Sequence, residues 1–241
     1  MSPTLRTGAS VAAAAGLLTG GLAYAALYPT SQIFGRVLIA GSDPRELALT
    51  YDDGPNPAAT PQLLELLARR GVRATFFLIG GFVRAQPALA RAVAEAGHLI
   101  GNHTLTHPKL AWQTAERIRQ ELRETSALIE DVTGVRVGYF RAPHGARRPY
   151  VMRAARELGM ATVQWNVTAS DWKPVGAEAI ADKVERGIAR NRARRRGSNI
   201  LLHDGGHRGL GAMRLPTVAA TELLLSAHAT DRFVTVDAWG S

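Results

Sequence analysis

The sequence predicts an α/β fold, a parallel sheet with helices packed outside it. From residue 45 to the end, short apolar runs alternate with stretches of helical spacing, the pattern of β/α units that form a parallel sheet. The chain has 241 residues and is 46% apolar, enough for one large core. No glycine-rich phosphate loop follows the first apolar run, where "TYDDGPNP" stands instead, and this argues against a dinucleotide-binding version of the fold. An open doubly wound sheet and a closed β/α barrel both satisfy the alternation.

The strands are read as 46–51 "ELALTY", 74–79 "ATFFLI", 98–102 "HLIGN", 137–140 "VGYF", 161–165 "ATVQW", 199–202 "NILL" and 233–236 "FVTV". Helical spacing covers 60–70, 87–96, 111–131, 149–158, 176–190 and 214–228. The first helix shows the reasoning. It begins at Thr60-Pro61, where proline is tolerated because its missing N–H would be unpaired anyway. Leu63, Leu64, Leu66 and Leu67 are read as facing one side, and Gly71 ends the helix by accepting a left-handed conformation. No internal repeat or low-complexity tract interrupts the series.

Residues 8–28, "GASVAAAAGLLTGGLAYAALY", fall within a run free of charge from Arg6 to Arg36. About 20 apolar residues in a helix span a bilayer core. The reading preferred here is a signal anchor at 1–28, with Arg6 and the amino terminus cytoplasmic. The chain is then a single-pass protein of the cytoplasmic membrane with its catalytic part outside. A cleaved signal peptide, suggested by "AYA" at 23–25, makes it a secreted protein; a buried alanine-rich helix is the third reading. Residues 29–44 connect this segment to a domain at 45–241.

Charge and cysteine content narrow the chemistry. The chain contains no cysteine, so a metal must be held by His, Asp or Glu. The net charge is +9, and "ARNRARRRGS" at 189–198 concentrates five arginines. These fit either a solvated helix end or attraction to an anionic surface. No helix-turn-helix pattern or interleaving of aromatic and basic residues is present, and nucleic acid is not expected as a partner.

Active sites of parallel β/α folds lie at the carboxyl ends of the strands. Here those ends carry Asp52-Asp53, His103 and His107 of "NHTLTHP", Arg141 and His144 of "RAPHG", Asp171-Trp172 and His203-Asp204. Each block alone is weak, since two histidines four apart are commonly surface residues. Five blocks at one rim form a constellation. On a helical turn His103 and His107 would face one way, although Pro108 permits only a short turn. Two imidazoles and one carboxylate make the donor set of a catalytic zinc site that keeps a position for water. One of Asp52 and Asp53 can be the ligand and the other the base. Cobalt or nickel also suits such donors.

These five blocks, in this order, resemble the motifs of the polysaccharide deacetylase family, the NodB-homology carbohydrate esterases, over residues 45–240. Tyr51 stands where that family usually has Phe, and His144 stands at an aromatic place. The resemblance implies an irregular (β/α)7 barrel, here preceded by the N-terminal hydrophobic helix. It also implies metal-dependent removal of acetyl groups from N-acetylated amino sugars of a polysaccharide. By position, Asp52 is the general base, and Asp53, His103 and His107 hold the metal. Arg141 orients Asp52, while His203 is the general acid, tuned by Asp171. Trp172 and Leu201 shape the acetyl pocket, and the backbone N–H of His144 helps hold the oxyanion. The chemistry agrees, because an amide nitrogen leaves only when protonated and an acid is needed beside the base. A related amide hydrolase acting on a sugar-lipid head group or a small molecule, and an inactive sugar-binding module, are the alternatives.

Overall fold

The computed structural model describes residues 24, 26 and 28–240. In chain order the strands and helices are β1 (Glu46–Gly54), α1 (Thr60–Arg69), β2 (Thr75–Leu78), α2 (Gly80–Ala85), α3 (Pro87–Glu95), β3 (Leu99–Asn102), α4 (Ala115–Thr133), β4 (Tyr139–Phe140), α5 (Pro149–Glu157), β5 (Ala161–Thr162), β6 (Val167–Thr168), α6 (Ala177–Ala193), β7 (Ser198–His203), α7 (Leu215–Ala227) and β8 (Arg232–Phe233). All ladders are parallel, in the order β5-β4-β3-β2-β1-β7-β6, and β8 pairs with the start of β1.

β1 is the spine. All nine of its residues are buried, as expected for a strand flanked on both edges and covered on both faces. Its alternation sends Leu47, Leu49 and Tyr51 into the main core, and the Tyr51 hydroxyl is satisfied by Thr221 Oγ1 at 2.9 Å. The helices bury matching stripes. In α4 these are Ile118, Leu122, Thr125 and Ile129, with Glu121 set among them. Thr114 caps this helix by accepting from the Arg117 N–H, and Gly134 closes it at φ 70°.

The sheet curls without closing into a continuous ladder. Its edge strands, β5 and β6, do not pair with each other. Beside this seam, Leu38 forms a parallel bridge to Val163, donating to the Thr162 carbonyl and accepting from Gln164 N–H, each at 2.9 Å. The curl brings distant strands together. Arg141, just after β4, reaches Thr50 on β1 and Asn199 on β7, although two strands separate β4 from β1 in the ladder order.

Among the described residues, each strand and helix expected from residue 45 onward has a counterpart, and one strand and one α-helix are additional. β6 is only two residues long and hides within "NVTASDW". α2 opens on Gly80-Gly81, which reads as a break; a Cβ on Gly80 would sit 2.8 Å from Thr125 Oγ1, so glycine there serves close packing on α4.

The membrane expectation is corrected. Among the described residues no helix is long and apolar enough to cross a membrane, which counts against the single-pass placement. Of residues 8–28, all but Tyr24, Ala26 and Tyr28 lie outside the described residues.

Candidate active site

The carboxyl ends of β1, β3, β4 and β7 converge on a cavity of about 600 Å³. Its walls include Asp52, Asp53, His103, His107, His144, Trp172, Leu201 and His203. Of the ten residues singled out from the sequence, the other two stand directly behind it: Arg141 touches Asp52 and Asp171 touches His203.

Adjacent strand residues ordinarily point to opposite faces. Asp52 and Asp53 escape this rule because the register of β1 against β2 shifts between Asp52 and Gly54, and Asp53 takes φ 70°. A bulge re-aims a side chain in this way. Both carboxylates therefore face the cavity. On the other edge of β1, Asp52 is the register partner of His203 on β7, which sets those two groups side by side.

Asp53 faces the histidines. Its Oδ1 lies 3.2 Å from His107 Nε2 and 3.5 Å from His103 Nε2. Burial would raise its carboxyl pKa, but the direct contact with His103 first, and then the charges of His103 and His203, outweigh that and hold it below the usual carboxylate range. His107 is driven the other way, down to about 2, by burial and then by the neighbouring His103 charge. His103 Nδ1 is 2.8 Å from the Arg141 carbonyl. With the proton on Nδ1 given to that carbonyl, the Nε2 lone pair turns toward Asp53, as in a metal-ligating histidine held by a backbone acceptor behind it. Asp53 Oδ1 is buried without a hydrogen-bond donor. A buried, unpaired carboxylate oxygen facing imidazole nitrogens fits a divalent cation and is costly without one.

The sequence suggested a helical turn for His103–His107; the structure has an irregular loop. Thr104 and His107 take positive φ values of 69° and 56°. Glu121 of α4, fully buried, holds the loop by accepting from Leu105 N–H at 2.7 Å, Thr106 N–H at 2.8 Å and the Thr106 hydroxyl at 2.7 Å. This residue was not read from the sequence, since it acts only through the loop backbone.

Asp52 has a different environment. Arg141 Nη1 donates to its Oδ1 at 2.8 Å and to Thr50 Oγ1 at 2.8 Å, and the guanidinium stacks 4.2 Å over the Phe77 ring. A fully buried arginine is thus fixed by three strands and offsets the charge of the aspartate pair. Across the cavity, Asp171 receives the His203 backbone N–H and side chain, each at 2.8 Å, and the Thr217 hydroxyl at 2.9 Å. Burial alone would lower the His203 pKa; the Asp171 charge and hydrogen bond push it up to about 9. Trp172 packs its edge against His203 at 5.2 Å.

A further histidine enters that the sequence reading passed over. His207 Nδ1 lies 3.8 Å from Asp53 Oδ2, and its ring stacks on His107 at 4.5 Å with 15° between planes. One donor atom from each of Asp53, His107 and His207 lies within 4.8 Å of the others. The signal was present: His207 follows His203 by four, the spacing of His103 and His107, inside the glycine-rich "HDGGHRG". His144 completes the group, its ring 4.7 Å from His107.

A family profile described as polysaccharide deacetylase matches residues 40–163. The chitooligosaccharide deacetylase of Rhizobium leguminosarum bv. trifolii is 42% identical over 167 residues, 69% of this chain and 74% of that protein. The peptidoglycan-N-acetylglucosamine deacetylase PgdA of Listeria monocytogenes is 35% identical over 160 residues, 66% of this chain and 32% of its own length. Among solved structures, the Bc1960 peptidoglycan N-acetylglucosamine deacetylase superposes with TM-score 0.75 at 31% identity, covering 83% of this chain and 91% of that one. A CE4 family pseudoenzyme from Bacillus anthracis superposes with TM-score 0.72 at 26% identity, covering 82% of this chain and 66% of that one. The fold is thus shared with a protein described as inactive.

Proposed function

From the premise that this chain belongs to the polysaccharide deacetylase family, we propose that it hydrolyses the acetamide of N-acetylated amino sugars in a cell-wall or extracellular glycan. Its activity is that of a metal-dependent amide hydrolase. The relatives described as chitooligosaccharide and peptidoglycan deacetylases favour a glucosamine-based glycan as the substrate. The observation that carries the reading is the pairing of Asp52 with His203 across the β1–β7 register, beside the buried carboxylate and imidazoles of Asp53, His103 and His107.

Asp53, His103 and His107 hold a divalent ion, with zinc the first choice for two imidazoles and a carboxylate. The ion, when bound, polarises the amide carbonyl and makes water more acidic. Asp52 takes the proton from water, and Arg141, at 2.8 Å, holds it aimed at the cavity. His203 carries a proton at neutral pH, since its pKa is pushed up to about 9, and delivers it to the departing nitrogen. Asp171 keeps that imidazole charged and oriented. The His144 backbone N–H helps hold the oxyanion, while Trp172 and Leu201 line the space for the acetyl methyl.

The test separates the paired aspartates. Asp53→Asn loses the metal, because a neutral amide replaces an anionic donor. Asp52→Asn keeps the metal and loses roughly 10²–10⁴-fold in rate, the usual worth of a general base. Metal content by elemental analysis and acetate release from an acetylated chitooligosaccharide are the two readouts. Metal loss in the Asp52 variant alone reverses the assignment.

A further inference from the structure

The loop between β7 and α7 is built in a way that bears on the metal centre. Its ends are clamped together by Asn56, which is buried. Asn56 Nδ2 donates to the carbonyls of Asp204 and Ala212, each at 2.8 Å, and Asn56 Oδ1 accepts from Gly211 N–H at 2.9 Å. At Gly205 the loop lies so close to Asp53 that a Cβ would overlap the Asp53 carbonyl. Farther along, Gly209 and Gly211 have open space where a side chain would be. The loop is therefore anchored against Asp53 at its start and clamped by Asn56 at its end, with His207 on the glycine-rich span between. It carries His207 to the free side of the carboxylate: His103 and His107 face Asp53 Oδ1, and His207 faces Oδ2.

The side chains of His103, His107 and Asp53 are 5% exposed or less, whereas that of His207 is 42% exposed. Buried donors are held by the core. An exposed donor on a glycine-flanked loop can leave without disturbing it. His207 also lines the same cavity as His203 and Trp172, where substrate must enter.

We propose that His207 is a displaceable ligand of the divalent ion, bound in the substrate-free enzyme and released when an oxygen ligand takes its place. The proposal rests on the metal-site reading above and adds a residue to it. Four protein donors describe a closed site and three an open one; a loop-borne fourth donor lets one centre alternate between them.

Closure has two linked consequences. If His207 is bound for a fraction of the time, metal affinity rises by the factor set by closure. The affinity of any oxygen ligand for the metal falls by the same factor, because only the open fraction can accept it. With closure at roughly nine-tenths, each change is about tenfold.

The experiment uses the full chain loaded with Co²⁺, in wild type, His207→Ala and His107→Ala. Co²⁺ affinity is measured against a chromogenic chelator, visible bands are recorded, and acetate is titrated as the oxygen ligand. For His207→Ala the expected result is weaker Co²⁺ binding and tighter acetate binding, each by about tenfold, with displaced Co²⁺ bands before acetate is added. Unchanged bands, or acetate binding that does not tighten, overturns the proposal. Full Co²⁺ affinity in His107→Ala is a separate failure, that of the underlying metal-site reading. His207 lies on an exposed loop, so its removal leaves the core intact.

Discussion

Replacing Asp171 with asparagine removes the charge beside His203 and turns an amide NH2 toward its Nδ1 in place of an acceptor. The substitution is isosteric, and its amide oxygen can still accept the His203 backbone N–H and the Thr217 hydroxyl that Asp171 Oδ2 receives now. What disappears is the negative charge 2.8 Å from His203 Nδ1. Burial opposes the charged imidazole, and Asp171 is the largest influence raising the His203 pKa from 6.5 to about 9. Without that charge the value falls from about 9 toward the ordinary one, with Asp52 and Asp53 still raising it against burial. The proton needed by the leaving amine is present below the pKa and lost above it, so the alkaline limb of activity moves to lower pH. If the value falls all the way to 6.5, the protonated fraction at pH 8 drops from about nine-tenths to a few hundredths, which makes a loss of about 30-fold the upper bound there. The loss grows toward high pH and shrinks below pH 6. A cation in the site shifts both profiles in the same direction, so the difference between them is the quantity read. The assay is acetate release from an acetylated chitooligosaccharide across this range, at matched metal content. Coincident alkaline limbs would falsify the role given to Asp171 and, with it, the account of His203 as a charged acid.

His203→Ala should lose roughly 10²–10⁴-fold on an N-acetyl sugar and distinctly less on an aryl acetate, whose phenolate leaves unaided; equal losses with metal retained would indicate that His203 only positions substrate. Glu121→Ala should destabilise the fold by about 1–3 kcal/mol, because the buried Leu105 N–H loses its acceptor and the part-buried Thr106 N–H must turn to water. It should also weaken metal binding, although Glu121 is not a proposed ligand. A denaturant melt together with a metal titration tests both, and unchanged metal affinity would show that the 103–107 loop holds its shape unaided.

The sequence exposed most of the site because strand-end residues of different types cluster there. The alternation of apolar runs and helical stretches positioned the long elements to within a few residues. Two kinds of feature escaped. Short elements did: β6 has two residues, too few for any periodicity, and α2 begins with two glycines that serve packing. Supporting residues escaped as well. Glu121 occupies a helix stripe like any other charged residue, and Asn56 looks like a turn residue after proline. Their importance lies in loop backbones brought to them by the fold. The bulge at Asp53 belongs to the same class. The pair Asp52-Asp53 was visible, but a strand's alternation would have hidden one of them; only the register shift turns both inward.

The Leu38 bridge bears on how the protein can be cut and handled. The family profile begins at residue 40, a natural place to start a shortened chain. Such a chain would lack the segment that bonds to Thr162 and Gln164, leaving the seam beside β5 with bare backbone donors and acceptors. Exposed strand edges of this kind recruit other molecules. A fragment that keeps Gln32, whose side chain brackets Val37 with hydrogen bonds of 2.7 and 3.1 Å, would retain its own seal, and one cut at 40 would leave that edge open to water or to a neighbouring strand.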